Sequence, residues 1–117
     1  MALTIKVLAN GRVPDTLGDP VYSPSSATPA KVAIVKIWRF TNTSGGAVVL
    51  NAYFQKGGDD FDPLKARHIL ARDVLIPPGH SVIDDLDLTL GPGDGIYADA
   101  SAGDVVDVVV SGMERDA

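Results

Sequence analysis

The sequence has no cysteine, which excludes disulfide staples, cysteine-based zinc centres and thiol nucleophiles, so stability must come from packing. Glutamate is almost as scarce: Glu114 is the single glutamate among fifteen acidic residues, the rest being aspartate. Aspartate competes for its own backbone and favours turns, whereas glutamate favours helix, so long helices are not expected. Cations are also few, ten Lys and Arg against fifteen acids for a net charge of −5, and nowhere do they cluster. A surface that neutralises phosphates needs grouped Lys and Arg, so a nucleic-acid partner is excluded. No window approaches the roughly 18 apolar residues of a membrane span. The stretch Met1 to Lys6 lacks the basic and apolar runs of a secretion signal. The expectation is a soluble product made in the host cytoplasm, without a membrane partner.

Histidine is limited to His68 and His80, which are not at a metal-ligand spacing, and His80 follows a Pro-Pro-Gly turn. Neither Ser44 nor Ser81 sits in a strand-turn-helix elbow, so no nucleophile and base are placed for catalysis, and the chain reads as a non-enzyme without a cofactor. Asp59, Asp60 and Asp62 form one acidic group and Asp84, Asp85 and Asp87 another. The first lacks the spacing and terminal Glu of an EF-hand, and alternation sends the second to both sides of a strand; solvated loop and edge acids are expected, not a Ca²⁺ site. Gly91 to Gly95 lacks the Lys-Ser/Thr ending and following helix of a phosphate loop, and reads as a turn.

What is present is valine, glycine and proline. Fourteen Val exceed ten Leu, and twelve Gly and eight Pro punctuate the chain, as expected of short strands between tight turns. Residues 1–117 form one domain, an antiparallel β-sandwich or jelly roll of about eight strands. Leu3, Ile5 and Val7 alternate with polar residues, which predicts a strand over 3–9. Residues 10–30 carry Pro14, Pro20, Pro24 and Pro29 and read as an extended arm or long loop, with a brief pairing at Val21-Tyr22. As an arm it would reach a neighbouring subunit, with Leu17, Val21 and Tyr22 as apolar anchors and Arg12, Asp15 and Asp19 as a polar rim. Lys31 to Thr41 is apolar at both parities and predicts a strand covered on both sides, with Trp38 in the core or at a subunit contact. The turn Asn42 to Gly46 then suggests a hairpin over 31–55. Asp62-Pro63 is expected to open a single helical turn, His68 to Ile76 to return to strand, and 81–90 to form a strand bulged near Asp84. Ile96, Ala98 and Ala100 begin the next strand, and Val106, Val108 and Val110 face inward on the last.

From Tyr22 to Ser111 the order of signals resembles the small virion structural proteins of tailed phages. The matching features are Tyr22 and Pro29-Ala30-Lys31 before an apolar strand; Asn42 with Ser44-Gly45-Gly46; Ile76-Pro77-Pro78-Gly79-His80-Ser81; and Leu90-Gly91-Pro92-Gly93-Asp94 leading into Ile96-Tyr97-Ala98. The resemblance is to their β-sandwich or jelly-roll capsid decoration (cement) proteins, and it implies a homo-oligomer, in trimeric form, on the capsid surface of the virion with the major capsid protein as partner. A tail or neck structural protein is the runner-up. A carbohydrate-binding β-module, with Trp38, Tyr53 and Tyr97 as a stacking platform, is the alternative of another class.

Overall fold

The computed structural model describes residues 4–57 and 60–117; Leu3, Gly58 and Asp59 lie outside the described residues, as does the side chain of Leu86. Among the described residues eight strands are formed: β1 (Thr4–Arg12), β2 (Lys31–Asn42), β3 (Val48–Gln55), β4 (Arg67–His68), β5 (Val74–Ile76), β6 (Ser81–Leu90), β7 (Gly95–Ala100) and β8 (Val106–Asp116). There is no helix among the described residues. One sheet runs β1-β8-β2-β6, antiparallel throughout. The other is built on β3, with β7 along one side and β4 and β5 end to end along the other. An isolated antiparallel bridge joins Tyr22 to Ile96 on the remaining side of β7.

With that bridge counted as a vestigial second strand and β4 and β5 as one interrupted strand, the first sheet holds the first, eighth, third and sixth segments. The second sheet holds the second, seventh, fourth and fifth. This is the doubly wound Greek-key order of a jelly roll. The brief pairing expected at Val21-Tyr22 thus stands at the position of the second strand.

The proline-rich segment lies on its own sandwich. Arg12 still belongs to β1, so the strand does not stop at Asn10-Gly11. Beyond it Val13 is fully buried, and its N–H and C=O bond the Val106 carbonyl and the Asp104 N–H. Pro14, Gly18, Val21, Tyr22, Pro24 and Ser25 all contribute backbone hydrogen bonds to other parts of the same domain. Four prolines remove donors and bar a full ladder, but they leave carbonyls free to accept, and that is how most of these bonds are made.

Two further expectations are corrected. Residues 31–55 are not a hairpin, because β2 and β3 belong to different sheets. Asn42 directs the crossing: its buried amide donates to the carbonyls of Gly46 and Ile76 and accepts from the Ser44 N–H and hydroxyl, turning the chain over the end of the sandwich. Residues 68–76 are likewise not one strand. Asp73 takes a φ of 58° and exchanges hydrogen bonds with Asn51, which props out the loop between β4 and β5. The turn expected at Asp62 is present as a single turn, with the Asp62 carbonyl accepting from the N–H groups of Lys65 and Ala66.

The core follows from alternation where the ladders are regular. Val106, Val108 and Val110 of β8 are buried, facing Val48, Leu50 and Ala52 of β3 and Ile96, Ala98 and Ala100 of β7. In β2 the alternation breaks. A bulge between Val35 and Ile37 inserts Lys36, so Ala33 and Val35 point inward before it and Trp38 and Phe40 after it. The mixed parity of this strand therefore reflects a change of phase and not a second covered side: Ile34 and Ile37 lie on the outward face of the sheet, beside exposed Lys36 and Arg39. Bulges at the same level interrupt β1 between Val7 and Ala9 and β6 between Asp85 and Leu88, the latter close to the expected position near Asp84. Asp87 adopts a φ of 44° there, and its carboxylate pairs with Lys36 of the neighbouring bulge.

The vestigial strand is fixed to β8 by a polar contact. Tyr22 Oη donates to Glu114 Oε2 at 2.6 Å, and Lys6 Nζ lies 3.3 Å from Oε1. The phenol hydrogen bond, and then Lys6, hold Glu114 below the ordinary carboxylate range; burial, and then the carboxylate, push the Tyr22 phenol above its own. A depressed carboxylate contributes stability that is present above about pH 4.3 and lost as pH falls through its folded value. A raised phenol contributes stability that is present below about pH 10 and lost as pH rises beyond it. Tyr22→Phe is expected to cost about 1 to 2 kcal/mol near neutrality and to flatten both the acid and the alkaline limbs. Urea midpoints measured across pH check this; limbs as steep as in the parent protein would refute it.

Candidate interaction surface

The strands that bury one face of the β1-β8-β2-β6 sheet leave the other face outward, and that outer face is unusually apolar. Register fixes its rows. Ile5, Met113 and Ile34 stand side by side on β1, β8 and β2, and Val7, Ser111 and Ile37 form the next row. Beyond them Val109 of β8 and Ile83 of β6 flank Arg39. Ile5 is 84% exposed, Ile83 55%, Val7 53% and Val109 40%, while Ile34, Ile37 and Met113 are half-buried by their neighbours. Fully burying one such side chain is worth about 1.5–3 kcal/mol, so a contiguous group of them is a marked departure from a solvated sheet face.

The bulge in β2 contributes directly. By inserting Lys36 it lets Trp38 and Phe40 enter the core and still leaves Ile37 on the outside, in one row with Val7 across Ser111. A shallow depression of about 490 Å³ lies over this region, lined by Ile5, Val7, Lys36, Ser111, Gly112 and Met113. Lysine stems bordering apolar side chains are suited to a protein surface, since the stem packs and the ammonium stays in water.

The opposite outer face, on β3 and β7, is covered at one end by its own loop. Phe61 packs edge-on against Tyr53 and Tyr97, at ring-centroid distances of 5.1 and 5.6 Å, and His68 lies 4.7 Å from Tyr53. Gln55 holds that loop, donating to the Gly57 and Asp60 carbonyls and accepting from the Asp62 N–H. Tyr97 is fully buried.

The residues singled out in the sequence are therefore dispersed. Trp38 is fully buried against Phe40, with ring centroids 4.8 Å apart, and offers no side-chain surface to a partner or a sugar. Val21 and Tyr22 pack on their own core, Leu17 is half-buried beside them in sequence, and Arg12, Asp15 and Asp19 are exposed. Asp84 accepts from the Trp38 indole at 3.1 Å, Asp87 pairs with Lys36, and Asp62 caps its own turn through the Leu64 N–H. No cluster of three His, Asp or Glu side chains converges on a cation position among the described residues. Asp94 was hidden within a glycine-rich turn. It is 6% exposed, its carboxylate accepts from the N–H groups of Gly57 and Gly91, and its carbonyl accepts from Ser23, tying three loops together.

No family model matches the sequence, and no curated protein matches it. Among solved structures, the chain is similar to one from the structure of infectious bursal disease virus Gt strain. The TM-score is 0.52 at 14% identity, covering 97% of this chain and 32% of that one. Chains from the Gx strain structure and from the T13 particle of the same virus overlap the same 97% of this chain, at 14% and 11% identity and TM-scores of 0.48. The present chain spans about a third of the length of those chains. The likeness to the Gt strain chain is one of fold, that of a two-sheet antiparallel β domain.

Proposed function

We propose that this chain is a non-enzymatic structural component of a virus particle, a capsid decoration protein of the cement type. It self-associates on the capsid surface and packs against the major capsid protein. The observation that carries the reading is the outward apolar face of the β1-β8-β2-β6 sheet, centred on Ile34, Met113 and Val109. A protein whose work is surface complementarity needs such a face and no reactive group. The jelly-roll order and the fold shared with a viral-particle chain support the same reading, as does the resemblance to phage decoration proteins, which is also the source of the trimeric form.

The test uses virus particles of the kind that carries this sequence. The protein is expected to co-sediment with them, and the double variant Ile34→Lys/Val109→Lys, altered at the centre of the face, is expected to bind at least tenfold more weakly. Its thermal midpoint should stay within a few degrees of the parent, because the two positions project away from the core. Absence of co-sedimentation, or equal binding by the folded variant, refutes the proposal.

A further inference from the structure

We infer that copies of this chain join head to tail, the β1 edge of one copy adding to the β6 edge of the next and extending the outer-face sheet from subunit to subunit. The inference rests only on the self-association part of the reading above and specifies its geometry. Among the described residues, β1 pairs only with β8 and β6 only with β2. The sheet thus ends on two long edges, of 9 and 10 residues, each with a row of backbone groups that strand addition would satisfy.

Strand polarity suits the joint. In the order β1-β8-β2-β6 every neighbour is antiparallel, so β1 and β6 run in opposite directions. A second copy in the same orientation brings its β1 antiparallel to β6, which continues the ladder without reversing the sheet.

Charge then chooses which edges meet. β1 carries Lys6 and Arg12 and no acid, whereas β6 carries Asp84, Asp85 and Asp87 and no base. Two β1 edges, or two β6 edges, would set like charges opposite each other; β1 against β6 sets unlike charges opposite. Edge charges that discourage pairing in general thus discourage only the symmetric pairings here. Lys6 and Arg12 hold pairs with Glu114 and Asp107 within the chain, yet remain 44% and 65% exposed, and the Asp87 side chain is 76% exposed.

Apolar side chains make the joint continuous with the outer face. Ile5 and Val7 project outward from β1, and Ile83 projects outward from β6. Joining the edges places Ile83 of one copy on the same face as Ile5 and Val7 of the next. The contact is heterologous, so it repeats from copy to copy until the rotation between subunits closes a ring.

Two edge variants and their mixture test this by light scattering after size exclusion. Lys6→Glu/Arg12→Glu makes both edges acidic. Asp85→Lys/Asp87→Asn/Thr89→Lys makes both net basic; it spares Asp84, which holds the Trp38 indole, and uses Asn at the positive-φ position 87. Each variant alone is expected to dissociate at least tenfold more readily than the parent oligomer while still unfolding cooperatively, the acidic variant at a lower midpoint because it sets carboxylates beside Glu114 and Asp107. An equimolar mixture, in which every acidic edge can find a basic one, is expected to regain mass above the monomer. A parent oligomer that persists in both variants overturns the edge joint and leaves self-association standing. A mixture that stays monomeric overturns the joint as well, and a parent protein that is monomeric at high micromolar concentration overturns both.

Discussion

Gly112→Ala is expected to destabilise the fold by about 3 kcal/mol or more and to lower the thermal midpoint by roughly 10 °C, or to prevent folding altogether. Gly112 lies on β8 between Lys6 of β1 and Val35 of β2, at the level where both neighbouring strands bulge. A Cβ at this position would fall inside van der Waals contact with the Ile34 carbonyl oxygen and only 3.1 Å from both the Ile34 carbonyl carbon and Leu8 Cδ1. The Ile34 atoms are backbone within a sheet, so they can yield only by parting β2 from β8. Leu8, the extra residue of the β1 bulge, fills the space that a side chain at 112 would take. Against a total stability of about 5–15 kcal/mol this loss is large. Gly11→Ala is the control. Nothing lies within 4 Å of a Cβ there, and its midpoint should match the parent. Thermal unfolding followed by circular dichroism decides the matter; equal midpoints for the two variants would show that the sheet is looser at its bulges than the geometry implies.

The second large effect is expected at Trp38. Replacement by alanine should cost about 3–5 kcal/mol, because a fully buried indole is removed from a sandwich core that cannot collapse around the gap. The indole also donates from Nε1 to Asp84 Oδ2, its cross-strand neighbour on β6, at 3.1 Å. Trp38→Phe separates the two contributions: most of the apolar contact with Phe40 remains, the donor is lost, and the expected cost falls to roughly 1–2 kcal/mol. Urea denaturation followed by far-UV circular dichroism measures both, since the variants lack the only tryptophan. A Trp38→Ala variant within 1 kcal/mol of the parent would mean that this side chain is not the anchor of the core.

The strands were legible where the ladder is regular. Val106, Val108 and Val110 announce their shared face because nothing interrupts β8 across them, and the aspartate bias rightly spoke against helices. Partnership between strands was less legible. A period of two says which side chains share a face but not which sheet a strand joins, so the crossing at Asn42 looked like a hairpin turn. Bulges defeat the period itself: one inserted residue at Lys36 exchanges the inward and outward sets of β2. The outer apolar face was therefore half visible, in the excess apolar residues of 31–41, while the contributions of Ile5, Val7, Ile83, Val109 and Met113 emerge only from register. Residues 10–30 read as an arm or long loop because prolines prevent a ladder. Single hydrogen bonds to other segments, such as Val13 to Val106 and Val21 to Ile96, leave no local pattern.

The position of β8 between β1 and β2 also has a consequence in time. The strand made last sits between the first two, so during synthesis β1 has no neighbour in its sheet, and β2 has at most β6, until Val106 and the residues after it have emerged. At about 5–20 residues per second, seconds separate the appearance of β2 from that of β8. Contacts between distant segments are slow to form, and a waiting sheet with open edges is prone to aggregate. Folding of this domain is therefore a late and concerted event: β1 and the β2-β6 pair remain separate pieces of one sheet until the central strand arrives to join them.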